Sequence, residues 1–219
     1  MTTQIATDTE LSAVNSILGS IGQSPVTTLG TVTTNVTNTG EEIANTYANP
    51  QIAMIHGLLM EATKDVQNEG WHFNKEDHIG PVSPDSNGHF LIPSNYLRFD
   101  VHEGLWNKTR DVRRKNGKLY DNVLHTDVFT QDFYFDVTYL YDFDDIPPAI
   151  QRHIIARASV RAATQLVSNP NLVQLLQMEE VKTRATALEY DCEQGDHTFF
   201  GLPHDSNYRS YQPYKALIR

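Results

Sequence analysis

A chain of 219 residues can bury one good core, or a core plus a smaller inserted module, and one compact unit with extensions is expected. Its 17 lysines and arginines are outnumbered by 27 aspartates and glutamates, a formal charge of −10, so most of the surface repels free nucleic acid and a general nucleic-acid binder is disfavoured. The single cysteine, Cys192, cannot form an intramolecular disulfide, and its spacing from Ala185 and Leu188 marks it as a small core residue.

Residues 1–20 lack both a basic start and an apolar run, so no signal peptide is expected. The most apolar stretch, Ile154 to Val167, is interrupted by Arg157 and Arg161 and falls short of the roughly twenty apolar residues a bilayer needs, so no stable membrane insertion is expected.

Thr7 and Glu10 stand at capping-box spacing, and Leu11, Val14, Leu18 and Ile21 then follow a helical stripe closed by Gly22, which defines helix one. From Gln23 to Gly40 a Thr, Asn and Gly run is broken only by isolated aliphatics and predicts an extended loop, at most a loose β ribbon. Helix two is expected to begin within Glu41–Tyr47, to be punctuated at Asn49-Pro50 and to run to Glu69. Its inner face carries Ile52, Ile55, Leu59, Ala62 and Val66; Glu61, Lys64, Asp65 and Gln67 stay outside. Gly70 suits the left-handed position that ends a helix, and Trp71 and Phe73 can fold back onto the apolar face just completed, with Trp71, Phe73 and Asn74 alternating like a strand edge.

Between Trp71 and Phe143 the pattern turns alternating and aromatic, with turns at Ser86-Asn87-Gly88, His102-Glu103-Gly104 and Asn116-Gly117. The expected strands are His89 to Ile92, Tyr96 to Val101, Arg110 to Arg114, Lys118 to Asp121 and Phe133 to Tyr141. In the last, Phe133, Phe135, Val137, Tyr139 and Tyr141 share a face. Asp144-Asp145 ahead of Ile146-Pro147-Pro148 signals the start of helix three, which presents Ile150, Ile154, Ala158, Ala162 and Leu166 on one side and Arg152, Arg157 and Arg161 away from it or at its border. Ser168-Asn169-Pro170 breaks it, and helix four carries Leu172, Leu175, Met178, Val181, Ala185 and Leu188 at three and four spacing, predicting an antiparallel pair. The remaining segment, 196–219, has no helical period but holds Phe199, Phe200, Tyr208, Tyr211 and Tyr214. A tail this rich in rings is unlike a disordered linker and is expected to dock.

Catalytic motifs are absent. No phosphate-cradling loop, dinucleotide fingerprint or nucleophile elbow occurs, and Gly19-Ser20-Ile21-Gly22 ends a helix instead of opening one. The nine histidines are scattered, none at the spacing that lets two imidazoles share an ion from one helix, so no metal or cofactor is implied; Asp77-His78 fits a solvated turn. Asp142, Asp144 and Asp145 admit a glycosidic acid/base pair, but the start of a helix accounts for them. Arg110, Arg113, Arg114, Lys115 and Lys118 locally reverse the chain's sign: a solvated hairpin tip, a contact patch for an acidic partner or, less in keeping with the surrounding field, a DNA contact.

Three segments together carry a resemblance: Val66-Gln67-Asn68-Glu69-Gly70-Trp71-His72-Phe73-Asn74, the Gly117 to Asp121 turn, and Asp136-Val137-Thr138-Tyr139-Leu140-Tyr141-Asp142-Phe143 leading to Ile146-Pro147-Pro148-Ala149. In this order and spacing, with Asn15-Ser16-Ile17-Leu18 in helix one and the arginines of helix three, the chain resembles the tail tubular protein A family, the adaptor rings between portal and nozzle in short-tailed, podovirus-type phages. The Thr-rich stretch from Gln23 to Gly40 and the Tyr-rich end from Asn207 to Tyr214 lie outside the resemblance.

That resemblance implies a non-enzymatic head-to-tail adaptor in the virion tail, about twelve copies closing a cyclic ring under the portal protein, with the nozzle (tubular protein B-like) beneath. An acidic ring concentrates its field around the hole, and a negative wall lets double-stranded DNA pass without sequence-specific binding. The expected fold is α+β. An antiparallel four-helix bundle is drawn from 1–70 and 144–195, a small antiparallel β module at 71–143 is inserted between helices two and three, and 196–219 forms an extended C-terminal tail. Phe199, Phe200, Tyr208, Tyr211 and Tyr214 are expected to bind the portal or a neighbouring subunit, each buried ring contributing roughly 1.5–3 kcal/mol. Arg110, Arg113, Arg114, Lys115 and Lys118 are expected to face the nozzle. The rivals are a tail-associated glycan hydrolase using Asp142 and Asp145, and a connector or scaffolding protein of another tailed-phage class.

Overall fold

Thr9, not Thr7, caps the first helix: its hydroxyl oxygen accepts from the backbone N–H of Ser12 at 3.3 Å, and α1 (Glu10–Ser20) buries Ala13, Val14, Ile17 and Leu18. The computed structural model describes residues 9–37, 40–47, 49–102 and 110–195, so Thr7 lies outside the described residues. Next come β1 (Gly30–Thr37) and β2 (Gly40–Tyr47), paired antiparallel from Gly30 opposite Tyr47 to Thr37 opposite Gly40. The β-branched content of Thr31-Val32-Thr33-Thr34 favours this outcome over a loop, and the strand through Glu41–Tyr47 displaces the expected start of helix two. That helix, α2 (Pro50–Gln67), opens at its proline, capped by Asn49, whose side chain accepts from Gln51 N at 3.0 Å.

Gly70, at φ 82°, stops α2 in the left-handed conformation, and Trp71 folds back as expected: it is 3% exposed and its indole N–H donates to the Val66 carbonyl at 2.6 Å. His72–Asn74 forms a single 3-10 turn, not a strand edge. Then β3 (Lys75–Val82), β4 (Tyr96–Val101), β5 (Val112–Lys115), β6 (Lys118–Asp121) and β7 (Phe133–Tyr139) follow in the chain. The larger sheet has the order β3-β7-β4, entirely antiparallel, with β7 central; β5 and β6 form a hairpin beside it, and Leu91 bridges to Lys118. Phe133, Phe135 and Val137 of β7, Val101 of β4 and Leu119 of β6 meet Phe90 and Phe129 in an aromatic core. Phe90 lies 5.5 Å, centroid to centroid, from Phe129 in an edge-to-face contact.

After a 3-10 turn at Phe143–Asp145, α3 (Pro148–Leu166) buries Ile150, Ile154, Ala158 and Ala162 completely, and α4 (Pro170–Gly195) runs back along it. Here the expected architecture is corrected. The helices are not an antiparallel four-helix bundle with one β insert between helices two and three: β1 and β2 already separate α1 from α2, and α4 joins the core of α1, α2 and α3 by one narrow side, through Leu176 and Ala187 with Leu172 and Val173 at its edge. The physical reason is the pattern of α4. Leu176 and Ala187 are its buried hydrophobes, while most of the expected stripe points elsewhere. Cys192 is likewise exposed, not core.

Polar groups lock the helical and sheet cores together. The side chain of Gln67, expected outside, is fully buried; its amide donates to Tyr141 O at 2.9 Å while its oxygen accepts from Tyr141 N at 2.8 Å. Asn74, also fully buried, donates to Gln67 O and Tyr139 O at 2.9 Å each and accepts from Trp71 N at 2.9 Å. The junction between α2 and β7 is thus fixed by hydrogen bonds whose loss would leave buried groups unpaired.

Candidate functional site

The β5–β6 hairpin separates the five expected contact cations into two kinds. Along a strand, side chains alternate between faces. On the inward face Leu119 and the side chain of Asp121 are fully buried. Arg110 pairs with that carboxylate at 3.2 Å and lies over the Phe133 ring at 4.9 Å. Oδ1 of Asp121 also accepts from Val123 N and Leu124 N at 2.8 and 3.0 Å, so the residue organises the turn that follows β6. Arg114 donates to Pro93 O at 2.6 Å and to Tyr96 O at 3.1 Å. Both arginines therefore hold the hairpin to the sheet.

On the outward face, Arg113 pairs across the ladder with Tyr120 and Lys115 with Lys118, which in turn bridges to Leu91. The Lys115 ammonium sits 4.1 Å and the Arg113 guanidinium 5.4 Å from the Tyr120 ring centroid, an arrangement that stiffens the cations without neutralising them. Leu91 beside them is 69% exposed. Three cations, one ring and one leucine in register make a surface that fits an acidic partner with an apolar centre.

A second surface was not anticipated. Leu175, Met178, Val181 and Leu188, placed in the core by their spacing, are 63, 67, 70 and 45% exposed. With about 3.6 residues per turn they fall on the side of α4 turned away from Leu176 and Ala187. The signal was present in the sequence: a helix with apolar residues on two opposite sides has one side too many for a single core. Polar ties supplement the buried Leu176 and Ala187 in holding α4 to the rest of the protein. Glu69 accepts from Arg184 at 2.9 Å and from Arg157 at 3.2 Å, and Asp191 accepts from His72 N at 2.7 Å. Asp65 of α2 binds Arg161 of α3 beside this network.

Phe199, Phe200, Tyr208, Tyr211 and Tyr214 lie outside the described residues. Asp142, Asp144 and Asp145 are exposed around the 3-10 turn before α3, and none supplies a side-chain cap to that turn. A cleft of 430 Å³ between the end of α2 and the sheet is lined by Glu69, Asp100 and Asp136 among others. Its carboxylates are engaged: Glu69 as above, and Asp136 with His102 Nδ1 and with His78 N, each at 2.8 Å. His78, scattered from His102 in sequence, stands 4.6 Å from it and stacks on Tyr134 at 4.1 Å, so the Asp77-His78 turn is in fact part of β3. Among the described residues no group of three or more His, Cys, Asp or Glu could hold a metal ion, and no helix is long and apolar enough to cross a membrane.

His153 of α3 is the one deeply buried titratable ring described: it is 0% exposed, neither ring nitrogen has a hydrogen-bond partner, and burial, reinforced by Arg184 and Arg157 and opposed by Glu69, pulls its pKa below the ordinary imidazole value.

No curated protein matches this chain. A family model described as tail tubular protein matches residues 11–197, spanning every described helix from within α1 to the end of α4. The chain belongs to the tail tubular protein family and is a structural component of the phage virion tail.

Proposed function

We propose that this chain is the head-to-tail adaptor of a short-tailed phage, closing as about twelve copies into a ring of cyclic symmetry beneath the portal and receiving the nozzle on its opposite side. The reading is supported above all by the exposed aliphatic side of α4, which leaves the single subunit incomplete. The aromatic segment 196–219 contacts the portal or a neighbouring subunit, and the outward face of the β5–β6 hairpin meets the nozzle. With a formal charge of −10 per copy, the assembled ring surrounds its opening with negative potential, so double-stranded DNA slides through during ejection without specific contacts. The protein acts by assembly and geometry, not by catalysis.

Mass measurement and electron microscopy of the full chain with portal rings test this directly. A closed ring near twelve copies on the portal is the expected result; a monomer at every concentration, with or without portal, overturns it. Removing Gly201 to Arg219 should leave a folded subunit that no longer joins the portal. Charge reversal at Arg113, Lys115 and Lys118 should abolish nozzle attachment only, because these residues face outward; an unchanged tail would make them a solvated tip. Peptidoglycan clearing lost on Asp142→Asn or Asp145→Asn would instead establish the hydrolase rival.

A further inference from the structure

A fully buried imidazole with neither ring nitrogen bonded stands where α3 meets α4 and the end of α2. Residues three and four apart adjoin on a helix surface, so His153 of α3 lies beside both Ala156 and Arg157. Ala156 lines a crevice with Leu176, Glu179 and Thr183 of α4, and Arg157 bonds Glu69 just beyond α2. The ring is thereby placed in the seam that α4 closes, near Arg184, which binds the same carboxylate. Few apolar contacts shut this seam: α4 gives Leu176 and Ala187 to the core, with Leu172 and Val173 at its edge.

The charges acting on the ring come from all three elements around it: Arg184 of α4, Arg157 of α3 and Glu69 at the end of α2, two cations against one acid. Glu179 and Lys182 of α4 line the clefts on the Arg152 side. A proton added to the ring inside the closed seam finds no acceptor and places a third positive charge beside a single carboxylate.

We infer that His153 is a proton-operated latch, whose protonation opens α4 away from α3 while α1, α2 and the sheet stay folded. The inference stands apart from the ring reading above. Opening α4 is the least costly way for the ring to reach water. It breaks the contacts of four apolar residues and the polar ties to Glu69 and Asp191, whereas any other route unfolds the whole helical core. In the open form the ring is an ordinary imidazole that takes up its proton around 6.5. Each pH unit below that value favours the open form about tenfold, until the lower value of the closed form is reached.

Hydrogen exchange of the full chain between about pH 7.5 and about pH 5, corrected for the intrinsic pH dependence of exchange, reads the latch directly. Protection of the α4 amides should fall about tenfold per unit below the imidazole range while α1 and α2 keep theirs, and in His153→Met the α4 protection should stay level. Loss of protection in all helices together would make His153 an ordinary destabilising group, and α4 opening that persists in His153→Met would assign it to another titration; either result overturns the inference. Should His153→Met not fold, NMR of the unmodified chain with labelled histidine rings decides. The His153 ring and the α4 amides are expected to change in one transition; a ring that titrates while α4 stays in place, or an α4 that opens while the ring stays neutral, overturns the latch equally.

Discussion

Glu69, at the last turn beyond α2, accepts two hydrogen bonds from Arg184 of α4, at 2.9 and 3.2 Å, across a separation of 115 residues. Arg157 of α3 shares the same carboxylate at 3.2 Å, so one side chain joins three helices. The three partners are each partly exposed, which places the contribution near the top of the range for surface pairs, about 1 kcal/mol. Glu69→Ala should lower global stability by that amount and, more tellingly, speed amide exchange through the C-terminal half of α4 while α1 and α2 stay protected. Raised salt should reproduce the effect in the unmodified protein.

Trp71 packs into the helical core just past Gly70, and its removal should be severe. Trp71→Ala is expected to cost about 3–5 kcal/mol in chemical denaturation, since a buried indole leaves a cavity where the helical core meets the turn before β3. Trp71→Phe keeps most of the volume but forfeits the bond to the Val66 carbonyl, and should cost about 1 kcal/mol.

Arg110 distinguishes a structural cation from a contact cation. Its loss strands the fully buried carboxylate of Asp121, so Arg110→Ala should destabilise the protein by about 3 kcal/mol. Arg113→Ala and Lys115→Ala, whose side chains lean on Tyr120 in solvent, should change stability by under about 0.5 kcal/mol. Thermal melts of the three variants decide the matter; equal losses would mean that the outward cations also hold the hairpin.

His153 makes stability fall in acid. Unfolded, the ring takes up its proton around the ordinary imidazole value of 6.5; folded, it does so only at lower pH, because burial and the nearby Arg184 and Arg157 disfavour the cation. Below the ordinary value the unfolded chain therefore binds more protons, and stability is present above that pH and lost as pH falls from it towards the depressed folded value. Denaturation midpoints should drop across this window in the unmodified protein and drop less in His153→Met, which removes the titrating group and leaves no hydrogen bond unmade. Identical pH profiles would assign the acid sensitivity to carboxylates elsewhere.

What the sequence revealed followed from local rules. Asn49-Pro50, Gly70 and the alternation of Phe133, Phe135 and Val137 each express a constraint carried by neighbouring residues, and the structure places them accordingly. What escaped was decided by distant ones. Gln67 looks like an outer helical residue until Tyr141 supplies a backbone to clamp. β3 gives almost no pattern because it is an edge strand, mostly exposed and holding Gly80 and Pro81, and it forms because Phe133, Phe135, Val137 and Thr138 offer it a ladder. The hairpin cations were recognisable as a cluster, but strand parity and the burial of Asp121 divide them into anchors and free charges. On α4 the residues at three and four spacing face outward, since periodicity reports that a side is apolar and not which neighbour covers it.

The division of labour within the hairpin separates holding from display. Arg110 and Arg114 tie the two strands to carbonyl and carboxylate oxygens of their own subunit, so the scaffold needs no help from the residues that look outward. Arg113, Lys115 and Lys118 carry none of that anchoring, so replacing them can change the charge this surface presents while the scaffold stays standing.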